Sequence, residues 1–429
     1  MDRMVISGWG RNVKIEANVY TLTDEKQAKR ELLKLNHYIP FGKGRSYGDS
    51  ALSENIVYTP SYNHILEFDE KNGFIRCQSG ITIGALINFL VPRGWFLWVT
   101  PGTKHVTIGG AIASDVHGKN HHKDGSFCQF VEEIKLMLPD GNIVVVKKGE
   151  ELFRATCGGI GLTGVILEAK LKLKKVYSKN ILQTTVKTEK LEETIEFFEK
   201  FKDVPYSVAW VDCIKSGRSL ISMGDFAKDG DLAYKPSRKI KIPFELPSFI
   251  LNRTSISLFN YFYYNKVKWK QEFKKVSLEE FFYPLDGIEN WNFFYGRRGL
   301  IQYQFILPKS ESYHGLAEVM EEVNKSGVYP TLCVLKLYGE QNGNYLSFPM
   351  EGYSLAMDFW VEDKVFSLLS RLDRIVLKYG GRLYLAKDSV MNKEVFEAGY
   401  PMVEKFREIR RQIDPERRLR SLQSLRLAL

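Results

Sequence analysis

Three glycine-bearing segments between Gly42 and Gly164 constrain this chain more than any other feature of its sequence. The first, Gly42-Lys43-Gly44-Arg45-Ser46-Tyr47-Gly48-Asp49, follows a strand expected at Tyr38 to Phe41. The second runs from Pro101-Gly102-Thr103 through Thr107-Ile108-Gly109-Gly110-Ala111-Ile112-Ala113. The third, Gly158-Gly159-Ile160-Gly161-Leu162-Thr163-Gly164, precedes a strand expected at Val165 to Leu173. Side chains this small fill no ordinary core, so the backbone must come close to something, and amides turned inward suit an anion. Three such places fit one extended cofactor lying along them better than three unrelated turns.

Two nucleotide-binding patterns fail. The P-loop spacing Gly-x-x-x-x-Gly-Lys-[Ser/Thr] is absent. After Gly42-x-Gly44 the third glycine, Gly48, comes one position late for a dinucleotide fingerprint, and no helix and acidic residue follow on schedule.

At 429 residues the chain exceeds one ordinary core, which favours two domains or one large discontinuous one. Short strands at Ile56 to Thr59, Ile65 to Asp69 and Phe74 to Ser79 and a helix at Ile83 to Val91 predict an α+β fold. Past Lys175 the composition turns aromatic and basic, which sets a boundary near residue 180. Beyond it, strands are expected at Ser207 to Cys213 and Leu300 to Ile306, with helices at Leu191 to Phe201 and Tyr313 to Ser326.

The stretch Tyr234 to Val276 reads as irregular. It mixes Arg238, Lys239 and Lys241 with Tyr261-Phe262-Tyr263-Tyr264 and Lys266, Lys268, Trp269, Lys270, Lys274 and Lys275. Such a mixture suits a membrane interface, a single-stranded nucleic acid, or a loop that packs its rings internally. The net charge of +10 likewise calls for an anionic partner without choosing among them.

Five widely spaced cysteines, without a Cys-x-x-Cys pair, read as free buried thiols of a reducing compartment. Met1 to Arg11 lacks the apolar core of a signal peptide, so a cytoplasmic protein is expected. Every apolar run is broken before the ~20 residues a spanning helix needs, which leaves only peripheral membrane contact.

His117 and His121 have the spacing of a helical metal pair, but no glutamate follows His117 and Gly118 interrupts the helix, so no metal is expected. Strand alternation sends Gln302 and Gln304 to one face, where two amides can hold sugar hydroxyls. Lys336, among Val334, Leu335 and Leu337, is either solvated at an edge or aimed into a polar pocket.

The sequences Gly8-Trp9-Gly10-Arg11, Gly44-Arg45-Ser46-Tyr47-Gly48-Asp49, Gly109 to Ala113 with Asp115-x-His117-Gly118-Lys119-Asn120-His121-His122, Gly161-Leu162-Thr163-Gly164 and Ala386-Lys387-Asp388-Ser389 carry a resemblance over nearly the whole chain. They resemble the vanillyl-alcohol-oxidase, or p-cresol methylhydroxylase type, FAD family, and within it the enzymes that oxidise a polyprenylphosphoryl-linked pentose. The resemblance implies an FAD domain of residues 1–180 and 382–429, with a substrate domain of residues 181–381 built on an antiparallel sheet. It assigns cofactor contact to Gly42, Lys43, Gly44, Arg45, Ser46, Tyr47, Pro101, Gly102, Thr103, Thr107, Gly109, Gly110, Ala113, His117, Gly118, Asn120, Gly161, Thr163, Gly164, Val165 and Tyr384.

Substrate contact falls by the same resemblance on Trp210, Gln302, Gln304, Lys336, Ala356 and Lys387, with Ala356 standing where actinobacterial relatives carry a cysteine. Oxidation of a secondary alcohol sends hydride to the flavin and needs a group to take the hydroxyl proton. Lys387 is the first choice for that base and His117 the second, while Lys336 orients the sugar or its phosphate. Covalent members of the family bond FAD to a histidine in the first glycine loop. Here that loop offers Arg45 and Tyr47, so non-covalent FAD is expected. The implied reaction turns the 2-hydroxyl of a lipid-linked ribose into a ketone, which a short-chain dehydrogenase would then reduce to arabinose. The rival in the same family is an oxidase of a soluble alditol or aldonolactone. A nucleic-acid-binding protein would leave the glycine segments unexplained.

Overall fold

A computed structural model describes residues 2–429 except 215–216, 237–238, 246 and 248–249, so Arg238 lies outside the described residues. The architecture is α+β and rests on three large sheets. Strands Asp2–Ser7, Lys14–Thr21, Asn55–Tyr58 and Ile39–Phe41 form the first in that order, an antiparallel hairpin continued by parallel neighbours. The second is antiparallel, in the order Ile65–Asp69, Phe74–Gln78, Val165–Lys175, Val131–Met137, Ile143–Lys147. The short strand Trp95–Leu97 also pairs with the long central one.

The third sheet decides where chemistry can occur. Its eight antiparallel strands run Gln271–Ser277, Asn180–Thr188, Ser219–Phe226, Tyr206–Val211, Leu332–Tyr338, Gly352–Trp360, Leu300–Pro308, Arg382–Leu383. Helices Leu191–Lys200, Ser312–Ser326 and Asp363–Lys378 cover one face. The last buries Val365, Leu368, Leu369, Leu372 and Val376, the three-and-four spacing of an apolar stripe.

Strand side chains alternate between faces, and here the alternation is strict. Ile301, Tyr303, Phe305 and Leu307 join the core under the helices, as do Cys333, Leu335 and Leu337, and Leu355, Met357 and Phe359. Their neighbours Gln302, Gln304, Val334, Lys336, Ser354, Ala356 and Asp358 all turn to a cavity on the other face. A one-residue slip of any strand would exchange the two sets, so core burial fixes the register that positions the polar groups.

The stretch Tyr234 to Val276 is more regular than its composition suggests. It contains helix Arg253–Asn265, capped by Asn252 with Ser255 closing the box, and edge strand Gln271–Ser277. Tyr264 and Asn260 anchor the helix through Thr188 O (3.0 Å) and Asp212 (2.9 Å), which an apolar-periodicity reading misses. All five cysteines are free and buried. Among the described residues no helix is long and apolar enough to cross a membrane.

Candidate active site

A cavity of about 1160 Å³ lies between the glycine segments and the bare face of the eight-stranded sheet. One wall is built from residues 42–47, 100–103, 105–107, 109–110, 113–114, 116–119, 160–161 and 164. These segments are held to one another first. A Cβ on Gly42 would stand 2.5 Å from Thr107 Oγ1, and one on Gly48 would stand 1.8 Å from the Asp388 carbonyl oxygen. Thr107 caps helix Ile108–Ala113 by accepting from Gly110 N, and Ile160 N donates to Ala113 O (2.8 Å). Several glycines thus serve chain-to-chain contact, whereas a Cβ on Gly102 would meet nothing within 4 Å and marks an open stretch of the cavity wall.

Lysines dominate the electrostatics of the opposite wall and its edges. Lys387 lies with Nζ 3.7 Å from the Tyr47 ring centroid, and Tyr47 N donates to Ala386 O, which ties the first glycine loop to the lysine-bearing turn. Burial brings the Lys387 ammonium down to about 7, opposed by Asp358 and helped by Lys336. Burial brings Lys336 down to about 8, and Lys119, whose ammonium donates to Phe281 O, down to about 7. Buried cations so close together favour the neutral amine and attract an anion.

Asp358 balances this charge. Gln302 donates to it (2.5 Å), Tyr295 OH donates from 3.3 Å, and burial raises its carboxyl to about 6. His117 sits in an aromatic cage, with ring centroids 5.0 Å from Tyr338 and Tyr384 and 5.6 Å from Phe348. Its Nε2 faces Gln304 Nε2 at 3.3 Å, and Gln304 also donates to Ser354 Oγ (3.2 Å). Burial, then Lys336, holds His117 well below 6.5, so the imidazole is neutral at pH 7.

The turn that carries His117 is fixed by Asp115, a fully buried carboxylate with left-handed backbone (φ 37°). It accepts from Cys128 N, Asn342, Asn344 and Ser347 at 2.6 to 3.0 Å. The last three donors come from the connection between strands Leu332–Tyr338 and Gly352–Trp360, so one carboxylate locks the two walls together.

Of the residues singled out in the sequence, Trp210, Gln302, Gln304, Lys336, Ala356, Tyr384, Lys387 and His117 line this one cavity, with Gly42 to Tyr47, Pro101 to Thr103, Thr107, Gly109, Gly110, Ala113, Gly118, Gly161 and Gly164. Lys336 faces the pocket rather than an edge, because its strand is interior to the sheet. Three others do not line it. Asn120 donates to Trp98 O and Asp124, Thr163 donates to Thr156 Oγ1, and Val165 is packed in the core. Asp358 also lines the cavity, and sequence reading does not single it out as a site residue. The alternation Ser354, Ala356, Asp358 against Leu355, Met357, Phe359 is the signal that finds the aspartate.

An FAD fits these residues. Arg45 Nε, Ser79 Oγ and His117 Nδ1 are buried in the cavity wall without a hydrogen-bond partner among the described residues, which is costly unless a ligand satisfies them. The comparisons agree. The FAD binding domain model matches residues 22–147, and the model of D-arabinono-1,4-lactone oxidase matches residues 356–426. Decaprenylphosphoryl-beta-D-ribose oxidase of Mycolicibacterium smegmatis is 33% identical over 96% of this chain and 94% of its own length. An uncharacterized protein encoded in the mprA 5' region of Streptomyces coelicolor is 30% identical over 78% of this chain and 96% of its own. D-lactate dehydrogenase of Anaerostipes hadrus is 28% identical over 47% of this chain and 44% of its own. With a cofactor wall, a lysine-rich sheet wall and near full-length similarity in one molecule, this chain belongs to the decaprenylphosphoryl-β-D-ribose oxidase family and is an FAD-dependent oxidoreductase acting on CH-OH groups.

Proposed function

We propose that the protein oxidises the 2-hydroxyl of a polyprenylphosphoryl-linked ribose to the 2-keto sugar. The observation that carries this reading is the set of buried lysines, Lys387, Lys336 and Lys119, that line one cavity together with the amides of Gln302 and Gln304, the Ser354 hydroxyl and the Asp358 carboxylate. A phosphorylated sugar supplies both the anion and the hydroxyls that such a wall binds. Bound FAD supplies the two-electron oxidation by accepting hydride from the carbinol carbon.

The chain's own part is proton handling and positioning. With its ordinary value lowered to about 7, Lys387 is in good part a free amine at neutral pH and receives the hydroxyl proton on Nζ. Lys336 stays largely protonated and pairs with the phosphate, while Gln302 and Gln304 orient hydroxyls from adjacent same-face positions. Neutral His117, with Nδ1 unpartnered, donates or accepts a hydrogen bond at the junction of the two walls. In this reading residues 1–180 and 382–429 hold the cofactor and residues 181–381 the substrate. Such a substrate brings the enzyme to the inner face of the membrane from the cytoplasm, and a short-chain dehydrogenase consumes the ketone.

Anaerobic mixing of the holoenzyme with a polyprenylphosphoryl-ribose tests it. Loss of flavin absorbance within seconds is expected. Bleaching by a free alditol but not by the lipid-linked sugar would defeat the reading and favour a soluble substrate.

A further inference from the structure

We propose that helix Arg253–Asn265 and the edge strand beside it form the surface that docks this enzyme on an anionic lipid bilayer, next to the mouth through which the substrate enters. The inference deepens the lipid-linked reading and rests on it. Leu258, Tyr261 and Phe262 are 55%, 51% and 64% exposed on this one helix. Phe259 on the same helix is 51% exposed, and Trp269, just before the following strand, and Phe273, within it, are 72% and 74% exposed, so six large apolar side chains are exposed within 16 consecutive positions. A water-soluble surface has no use for that much clustered apolar area.

Charge decides the occupant. Residues 253–275 carry Arg253, Lys266, Lys268, Lys270, Lys274 and Lys275 against a single acid, Glu272. Lys270, Lys274 and Lys275 pair with Glu193, Glu272 and Asp229 at the surface, while among the described residues Lys266 and Lys268 have no carboxylate partner. Rings and aliphatic groups that enter the headgroup layer beside lysines that meet lipid phosphates describe an interfacial helix.

Position adds the second argument. The same helix turns Phe259 and Tyr263 to the cavity, where Tyr263 lies 4.9 Å from Trp210, and Lys266 and Lys274 also line it. The apolar patch is therefore continuous with the cavity wall. A lipid-linked sugar whose head occupies the cavity would leave its tail on that patch, so the substrate need never enter water. The helix is held to the sheet by a small separate cluster of Trp210, Leu220, Tyr264 and Val267.

Holoenzyme co-sedimentation with phosphatidylcholine vesicles, with and without phosphatidylglycerol, tests the surface. Binding to the anionic vesicles is expected to be about tenfold tighter or more, and to weaken with salt. The triple variant Leu258→Ser, Tyr261→Ser, Phe262→Ser should lose at least about tenfold of that binding while its flavin absorbance and melting temperature stay at the wild-type values. It should turn over a short-chain, water-soluble analogue normally and a vesicle-embedded substrate poorly. Lys268→Glu with Lys270→Glu should lose only the anionic preference. Equal vesicle binding by wild type and triple variant would overturn the proposal. A wild-type dimer that the triple variant dissolves, without vesicle binding, would overturn it in favour of a second copy of the chain. Because vesicle binding needs no substrate, vesicle binding without oxidation of the lipid sugar would fail the substrate reading alone.

Discussion

The two walls of the cavity solve recognition in different ways. The cofactor wall is written in backbone: glycines, short turns and a capped helix hold segments so close that a single added methyl group at Gly48 would strike the Asp388 carbonyl. The sheet wall is written in side chains, with alternate residues of three central strands, Gln302 and Gln304, Val334 and Lys336, and Ser354, Ala356 and Asp358, turned to the cavity while the intervening residues fill the core. The first arrangement tolerates little change and binds a constant group. The second can change its polar face without touching its core face, and so is where specificity can be altered.

Substitutions on the two walls should therefore fail differently. The largest effect is expected for Lys387→Ala, which removes the proton acceptor and should slow flavin reduction by about 10²- to 10⁴-fold while leaving bound flavin and melting temperature near wild type. Stopped-flow reduction and flavin content of the purified variant check it, and loss of flavin there would erase the distinction between the walls. Gly48→Ala should do the reverse. Overpacking against Asp388 should cost about 1–3 kcal/mol in unfolding free energy and lower flavin content, with the remaining holoenzyme reduced at a rate closer to normal.

The smallest effect concerns Lys336. Its buried ammonium is lowered to about 8 from 10.5, so the unfolded chain holds more protons than the folded one between those values and wild-type stability rises with pH there. Lys336→Met should melt higher than wild type below pH 8, with the gap closing as pH approaches 10.5, and should bind substrate more weakly. Thermal melts of both proteins across that range measure it. A gap that widens with pH would show that the lysine is stabilised where it stands.

The difference between the walls also explains what the sequence disclosed. Glycine segments advertise themselves, because few other causes put Gly42, Gly44, Gly102, Gly109, Gly110 and Gly161 in short runs. The same signal cannot say what each glycine approaches: Gly42 lines the cavity and also abuts Thr107, while Gly48 abuts Asp388. Asn120, Thr163 and Val165 were drawn in with their motifs, although each is engaged within the protein. On the sheet wall, alternation makes Gln302 and Gln304 legible and puts Asp358 on the face of Ser354 and Ala356, but it does not say what the aspartate pairs with. Its role depends on the pairing Gln302↔Asp358 across two strands 56 residues apart, which is a tertiary fact. The helix Arg253–Asn265 was missed for a related reason: its apolar residues face outward as well as inward, so no single stripe marks it.

The pH dependence of flavin reduction by a polyprenylphosphoryl-ribose tests the central claim, that the buried Lys387, on the turn tied to the first glycine loop, takes the substrate proton. The rate should rise as pH increases through about 7 and then level off, as the amine form of Lys387 becomes available. In Lys387→Ala the residual rate should show no such rise. A pH-independent wild-type rate, or the same inflection surviving in the variant, would contradict the assignment of Lys387 as the base.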